Sequence, residues 1–263
     1  MVYSAAVGDP HRLLAVVAHP DDESFGLGSI LAWAAARGAE TTVCCATGGE
    51  AGEPAPGSGI APEDLPAARV RELREAAELL GVRRVDLLDY ADSGMVGDPV
   101  PGTLVAAPFG DVVAAVLAEV VAVRPSVVVT LDAGDGHRDH ARIRDATLAA
   151  VERAAEPVER AYLAGLPRSL MRRWVQHQRS VNPDRQHLDP DVAAIGTPDE
   201  ELTTVLDTSA HLATRWAAIR AHASQVSPYD DLPSDLQEAF LATDRLRRVV
   251  PPWTGGPPED SLF

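Results

Sequence analysis

The chain has 263 residues, and 39 acidic against 23 basic residues give it a formal net charge of −16 at pH 7. This charge disfavours nucleic acid as a partner, because neutralising phosphates requires a basic surface. Every basic residue is an arginine, which excludes a Schiff-base lysine and a Walker-type phosphate loop.

Neither a membrane span nor a disulfide framework is indicated. No apolar stretch approaches the roughly 20 residues that a membrane helix requires. The first residues lack the cationic start of a secretory signal peptide, so we expect none. Cys44 and Cys45 are adjacent in a predicted strand, where neighbouring side chains point to opposite faces, so we expect two buried free thiols. We therefore expect a cytoplasmic protein with no membrane partner.

Short apolar runs and helical patterns alternate along the first part of the chain. We predict strands at about 13–18, 41–47, 84–88, 126–131 and 158–163. Helices are predicted between them at about 26–37, 67–80, 109–123 and 141–154, each followed by Gly or Pro. This alternation predicts an α/β fold with a doubly wound, mostly parallel sheet and helices on both of its faces.

The last hundred residues have a less regular pattern and predict an irregular C-terminal extension. Within it we expect a strand at 202–206 and helices at 167–179 and 211–225. The Gly/Pro-rich stretch 52–66 and the polar stretch 182–199 are predicted to be loops over the site. The Pro/Gly-rich tail from Pro251 onward is expected to be loosely held.

No internal repeat or composition break divides the chain. We expect one domain over residues 1–263, with a sheet core at about 11–165 and lid or cap elements at about 166–250.

The segment 18–23, Ala-His-Pro-Asp-Asp-Glu, directly follows the first predicted strand. In an open parallel sheet, ligands bind at the carboxyl ends of the strands. His19 and Asp22 are three residues apart in a turn, close enough to bind one metal ion. Asp21 lies between them and remains free to act as a general base.

A second cluster, Gly-His-Arg-Asp-His at 136–140, follows the valine-rich predicted strand at 126–131. His140 is the predicted third metal ligand, and two histidines with one carboxylate suit catalytic Zn²⁺ or Fe²⁺. His137 is then free to stabilise an oxyanion or to protonate a leaving amine. Asp139 is expected to orient a histidine.

Each cluster also has a structural interpretation. The first is compatible with a simple turn in which Asp22 caps the following helix. The second is compatible with a solvated loop in which Asp139 lies near a helix N-terminus. His222 on the last predicted helix either faces the site or packs as a core histidine. Two His/Asp clusters at two strand ends favour the metal site.

These motifs resemble the PIG-L/LmbE family of zinc-dependent N-deacetylases. Further matches follow in order: Thr-Gly-Gly-Glu at 47–50, Arg-x-x-Glu-Leu at 69–73, Asp-Ser-Gly-Met at 92–95, and a terminal motif at 215–225 with Arg215 in place of the usual Lys. The resemblance covers residues 11–225. The first motif is highly specific, whereas Arg-x-x-Glu-Leu alone carries no information.

The resemblance implies a Rossmann-like fold and hydrolysis of an acetamide on a glucosamine-type sugar. By motif, His19, Asp22 and His140 match the metal ligands and Asp21 matches the general base. The resemblance assigns the oxyanion or acid role to His137 and a supporting role to Asp139. It also implies that Arg69 and Asp92 bind sugar hydroxyls. The terminal motif adds Gln225 as a candidate substrate contact.

Two positions depart from the family pattern. Arg138 stands where the family commonly has Pro, which leaves the flanking histidines in place. Asp135 stands where thiol-sugar members have a Tyr that helps to hold the oxyanion. Because a carboxylate cannot stabilise an oxyanion, Asp135 either leaves that task to His137 and the metal or contacts a different substrate.

The sequence therefore predicts a zinc-dependent hydrolase that removes an N-acetyl group from an N-acetylglucosamine-type small molecule. One alternative is an amidase acting on a mycothiol-like S-conjugate. A second, from a different class, is a non-catalytic sugar- or nucleotide-binding protein, although no Gly-x-Gly-x-x-Gly follows the first strand. A homo-oligomer is compatible with all three.

Overall fold

The computed structural model of the protein describes residues 10–182 and 195–263. Within these residues, seven strands form one sheet: β1 Arg12–Val17, β2 Glu40–Thr47, β3 Arg84–Tyr90, β4 Val127–Leu131, β5 Arg160–Ala164, β6 Thr204–Asp207 and β7 Thr243–Val250. Their order across the sheet is β3-β2-β1-β4-β5-β7-β6. The first five strands are parallel, and β7 runs antiparallel to both of its neighbours, β5 and β6.

The helices described by the structure fill the connections. They are α1 Asp22–Phe25, α2 Gly28–Ala36, α3 Leu65–Leu79, α4 Phe109–Val123, α5 Arg138–Arg153, α6 Arg168–Val181, α7 Leu212–Ala221 and α8 Ser234–Leu241. In residues 10–182 and 195–263, none of them is both long and apolar enough to cross a membrane.

The central strand β1 is apolar because both of its faces are covered. Leu13, Ala15 and Val17 belong to one core cluster, which also contains residues of α2 and α3. Leu14 and Val16 belong to a second cluster on the opposite face, built with α4 and α5. A continuous apolar run is typical of a parallel strand buried in this way. The predicted α/β class, with a mostly parallel sheet and helices on both faces, is confirmed.

The predicted first helix at 26–37 is confirmed as α2, and a short helix that the sequence does not indicate precedes it. The short α1 begins at Asp22, inside the motif itself, and the chain turns at Gly26 and Leu27 before α2. A side chain at Gly26 would collide with Leu131 at the end of β4. This close approach brings the end of β4 against the first motif.

The region after residue 166 is more regular than the sequence predicts. The sequence indicates neither α8 nor β7, and β6 and β7 extend the sheet beyond the expected core at 11–165. Charged residues obscure the strand pattern of β7. In the folded protein Arg247 pairs with Asp132 and Glu201, while Arg248 pairs with Glu259. Both partners of Arg247 lie far from it in the sequence, so local patterns do not reveal these pairs.

The tail is also held more firmly than expected. Leu262 is fully buried, and the ring of Phe263 stacks on Trp33 at 5.6 Å and on His11 at 4.5 Å between centroids. The expectation of a loosely held tail is therefore wrong for these last residues, because aromatic stacking fixes them against α2. Both cysteines are buried free thiols, as predicted.

Arg215 ties three elements of the fold together. Its guanidinium lies 3.2 Å from Asp244 of β7 and donates to the carbonyl oxygens of Ser24 and Phe25 in α1. Arg215 and Asp244 are both buried. A buried ion pair is costly to break because its remaining partner keeps a charge without compensation.

We expect Arg215→Ala to lower the free energy of unfolding by about 3–5 kcal/mol, since it leaves Asp244 buried and unpaired. Urea denaturation of the full chain measures this loss. Arg220→Ala is the matched control, because Arg220 is exposed on the same helix and lies over Trp216; its loss should stay below about 1 kcal/mol. Equal losses for the two variants would contradict the role given to Arg215.

Candidate metal centre and active site

The order of the strands brings the two sequence motifs together. β1 and β4 are neighbours in the sheet, so the segments that follow them meet at the same edge. His19 follows β1, Asp22 opens α1, and His140 lies in the first turn of α5 after β4. All three side chains are largely buried.

The three predicted ligands converge on one point. His19 Nδ1 lies 3.2 Å from His140 Nε2, and His140 Nε2 lies 3.3 Å from Asp22 Oδ1. His19 Nδ1 and Asp22 Oδ2 are 3.8 Å apart. Zn²⁺ bound tetrahedrally at bond lengths of about 2.0–2.2 Å holds its ligand atoms about 3.3–3.6 Å apart. The observed spacings therefore fit a metal ion between these atoms.

Carboxylates behind the two imidazoles determine which ring nitrogen faces this point. His19 Nε2 lies 3.3 Å from Asp139 Oδ2 and 3.5 Å from Asp92 Oδ1. His140 Nδ1 lies 2.6 Å from Asp135 Oδ2. A nitrogen beside a carboxylate carries the proton, so the other nitrogen of each ring offers a lone pair. The two lone pairs point at each other across the space beside Asp22.

The charges around this point favour a cation. Burial lowers the pKa of His19, but its hydrogen bonds to Asp139 and Asp92 and the charge of Asp22 outweigh burial and raise the pKa to about 9. Burial also opposes charge on His140, yet Asp22 and Asp135 raise its pKa to about 11. The same carboxylates that stabilise a protonated imidazole would stabilise a metal ion. The cluster can therefore bind a metal.

Asp135 has a role that the sequence leaves open. The structure places its carboxylate on His140, where one oxygen lies 2.6 Å from Nδ1, and the other accepts from the main-chain N–H of His137 at 3.0 Å. It thus supports a predicted ligand from behind. Arg138, the other departure from the family pattern, donates to the carbonyl oxygens of Gly94, Val96 and Gly97 and fixes the loop after β3.

His137 stands at the N-cap of α5 and joins the same cluster. Its Nδ1 accepts the main-chain N–H of Asp139 at 3.2 Å, so in the neutral ring the proton is on Nε2. Burial lowers the pKa of His137, and the neighbouring His19 and His140 lower it further. One nitrogen of each of these three histidines lies within 4.8 Å of the others.

Asp21 is held at both its side chain and its main chain. Its Oδ2 accepts from Arg69 at 2.9 Å, and its main-chain N–H donates to Glu23 Oε2 at 3.0 Å. The backbone at Asp21 has a φ of 144°, a strained value for a residue with a side chain. Burial and the charge of Asp22 raise the pKa of Asp21 to about 7, against the opposing charge of Arg69.

Arg69, a predicted sugar contact, is itself buried. It donates to the carbonyl oxygens of Gly49 and Pro20 as well as to Asp21. A side chain at Gly49 would collide with its guanidinium, and a φ of 71° also favours glycine there, which explains Gly49 of the motif at 47–50. Arg69 thus anchors the first motif, and its contact with a sugar stays a prediction.

The other two predicted substrate contacts differ in position. Asp92 lies beside His19 in the cluster, and its main-chain N–H donates to Glu50. Gln225 lies outside the cluster, and its amide donates to Ser224. Substrate binding by either residue remains a prediction.

Glu23 and His222 form a buried pair that sequence reasoning did not assign. His222 Nε2 lies 2.6 Å from Glu23 Oε1, and both side chains are fully buried. The Glu23 charge raises the pKa of His222 in spite of burial, which lowers it. The structure therefore resolves the two alternatives for His222: it packs in the interior, yet it contacts the first motif through Glu23. Glu23 is the last residue of the first motif. Its place there was the one signal in the sequence that pointed to a role for this residue near the site.

The fold and this donor set define an α/β protein with a metal-type site at the carboxyl ends of its parallel strands. A family model described as PIG-L, GlcNAc-PI de-N-acetylase, matches residues 14–151, which are more than half of the chain and contain both His/Asp motifs. The chain therefore belongs to the PIG-L family of de-N-acetylases, hydrolases that remove N-acetyl groups from N-acetylglucosamine-type substrates.

Two individual proteins show how the similarity is distributed between sequence and fold. The 1D-myo-inositol 2-acetamido-2-deoxy-alpha-D-glucopyranoside deacetylase of Kineococcus radiotolerans is 38% identical over 275 residues, covering 92% of this chain and 74% of the relative. A zinc-inhibited teicoplanin deacetylase superimposes with a TM-score of 0.61 and 20% identity, covering 90% and 98% of the two chains.

A third similar protein performs a different reaction. The 4-carboxy-2-hydroxymuconate hydratase of Pseudomonas putida has a TM-score of 0.63 and 20% identity, covering 94% of this chain and 99% of its own. At such identities the likeness concerns the fold alone. Because a hydratase and a deacetylase share this fold, the reaction has to be argued from the family and the site.

We expect Asp135→Ala to weaken Zn²⁺ binding by about 10–100-fold, because it removes the carboxylate that orients His140. Competition with a chelator measures the Kd. Asp145→Ala is the matched control, since Asp145 is half-exposed on α5, the helix that carries His140, and pairs with Arg144. The Kd of this variant for Zn²⁺ should equal that of the wild type. Unaltered affinity in Asp135→Ala would show that His140 needs no such support.

Proposed function

We propose that this protein hydrolyses the acetamide of an N-acetylglucosamine unit linked to inositol, with Zn²⁺ or Fe²⁺ held by His19, Asp22 and His140. The observation that carries the proposal is the convergence of two imidazole lone pairs and one carboxylate beside Asp21. The name of the Kineococcus relative supports the choice of sugar. When bound, the metal supplies Lewis acidity that polarises the amide carbonyl and lowers the pKa of water.

Asp21 is the proposed general base. It follows His19 and precedes Asp22 in the chain, so its carboxylate belongs to the same turn as two ligands. Its Oδ2 is fixed by Arg69, which restricts the directions in which it accepts a proton. Asp21 takes the proton of the attacking water and later passes it to the leaving amine.

His137 is the proposed oxyanion donor. Because Nδ1 already accepts a main-chain N–H, the neutral ring presents Nε2–H as a donor. Such a fixed donor stabilises the negative charge that develops on the carbonyl oxygen. Asp139, fully buried, accepts from the main-chain N–H of Ser93 at 2.8 Å and contacts His19, so it orients that ligand.

We expect Asp21→Asn to lower kcat for N-acetylglucosaminyl-inositol by about 10²–10⁴-fold, because the amide cannot accept the proton. Release of the primary amine gives the rate, and elemental analysis gives the metal content. Asp98→Asn, on an exposed loop, is the control and should keep the wild-type rate.

Equal metal content in wild type and Asp21→Asn is required for this comparison to report on proton transfer. Metal binding without amine release by the wild type would contradict the hydrolase and favour a sugar-binding protein. Hydrolysis of a thiol conjugate of this sugar with no hydrolysis of the acetamide would favour the amidase.

Glu23 and His222 are proposed positioning residues for Asp21. Glu23 holds the main-chain N–H of Asp21, whose backbone is strained, and His222 holds Glu23. We expect His222→Ala to lower kcat by about 10²-fold with little change in KM, since a small displacement of a reacting group costs about that much.

His222→Gln should restore most of kcat, because its amide can donate to Glu23 in place of Nε2. Thermal unfolding of both variants and their metal content separate positioning from general destabilisation. A folded, metal-loaded His222→Ala with the wild-type kcat would overturn this role.

A further inference from the structure

A cavity of about 190 Å³ lies directly beside the metal-type site. Asp22, Asp135 and His140 form one end of it, so the cavity opens onto the donor set. Much of its remaining wall is apolar and comes from α1, the end of β4, α6 and residue 195: Phe25, Leu131, Leu170, Met171 and Ile195. The cavity is thus continuous with the site and differs from it in chemistry.

Three of the charged side chains in this wall outside the donor set, Arg215, Asp244 and Asp132, are already paired with other protein groups, whereas the guanidinium of Arg245, also in the wall, lies 3.5 Å from the carbonyl oxygen of Thr243. Arg215 pairs with Asp244. Asp132 accepts from Thr197 and pairs with Arg247. Paired groups have little capacity left for sugar hydroxyls, and exposing them to an apolar ligand costs little because they stay satisfied. The cavity therefore suits an apolar group.

The polar part of the site lies elsewhere. Asp21, Arg69, Asp92 and Gln225 do not line the cavity. An amide is planar and trans, so its acyl chain and its amine substituent extend in opposite directions from the carbonyl carbon. A substrate whose carbonyl sits at the donor set then directs its sugar toward the polar residues and its acyl group into the cavity.

We propose that this cavity is an acyl-binding site that accepts linear acyl groups of about four to six carbons as well as acetyl. The inference rests on the proposed function and adds the class of acyl group. A cavity of about 150 Å³ with apolar walls is large enough to hold benzene, so 190 Å³ exceeds what a single methyl group requires.

The test compares N-acetyl-, N-butanoyl- and N-hexanoyl-glucosaminyl-inositol as substrates of the metal-loaded full chain. We expect kcat/KM to rise by about fourfold for each added methylene that enters the cavity. Ala164, the last residue of β5, also lines the cavity, and Ala164→Leu should flatten this rise by filling the space. Ala122 is exposed on α4, so Ala122→Leu makes the same chemical change outside the cavity. This control should keep the wild-type rise of kcat/KM with acyl length.

Calorimetric titration with hexanoate and acetate gives a second readout that needs no turnover. Tighter binding of hexanoate in wild type, lost in Ala164→Leu, supports the acyl site. A kcat/KM for amide hydrolysis that declines from the N-acetyl to the N-hexanoyl substrate, together with equal binding of acetate and hexanoate, overturns the acyl site. The proposed function then remains intact. Failure to hydrolyse any of the three amides overturns both.

Discussion

The site depends on carboxylates that fix the two imidazoles from behind. Asp139 and Asp92 face one nitrogen of His19, and Asp135 faces one nitrogen of His140. Without these partners each ring could turn or change tautomer, and its lone pair would no longer point at the space that it shares with Asp22. The fold places Asp92 on the loop after β3, Asp135 on the loop after β4 and Asp139 in the first turn of α5, and these two strands lie on either side of β1, the strand that His19 follows. Sheet order therefore determines the direction of each lone pair.

The sequence predicts the central part of this arrangement well. Apolar runs buried on both faces are recognisable without a structure, and the ends of parallel strands necessarily meet at one edge. His19, Asp22 and His140 were expected to converge for this reason, and their atoms lie 3.2–3.8 Å apart. Helix α4 agrees with its predicted range because its apolar positions face a single core cluster.

The remaining features depend on contacts between distant parts of the chain. The supporting role of Asp135 requires the rotamer of His140, which no spacing rule provides. His222 meets Glu23 across 199 positions of sequence. β7 carries three arginines, which disguise a strand in the interior of the sheet until their carboxylate partners are known. Local sequence patterns identify the candidate functional residues at strand ends. The role of Asp135, the Glu23–His222 pair and strand β7 depend instead on ion pairs that form only in the folded protein.

The position of β7 has a consequence for how the protein is made. β7 pairs with β5 on one side and β6 on the other, so β6 has no place in the sheet before β7 arrives. Synthesis proceeds from the N-terminus, and the parallel strands emerge from the ribosome long before β7. Until then the outer edge of β5 carries unpaired N–H and C=O groups, which attract strands from other chains. The last strand of the sheet thus covers the edge of β5 that stays open during synthesis, and it also provides the only neighbour of β6 among the described strands.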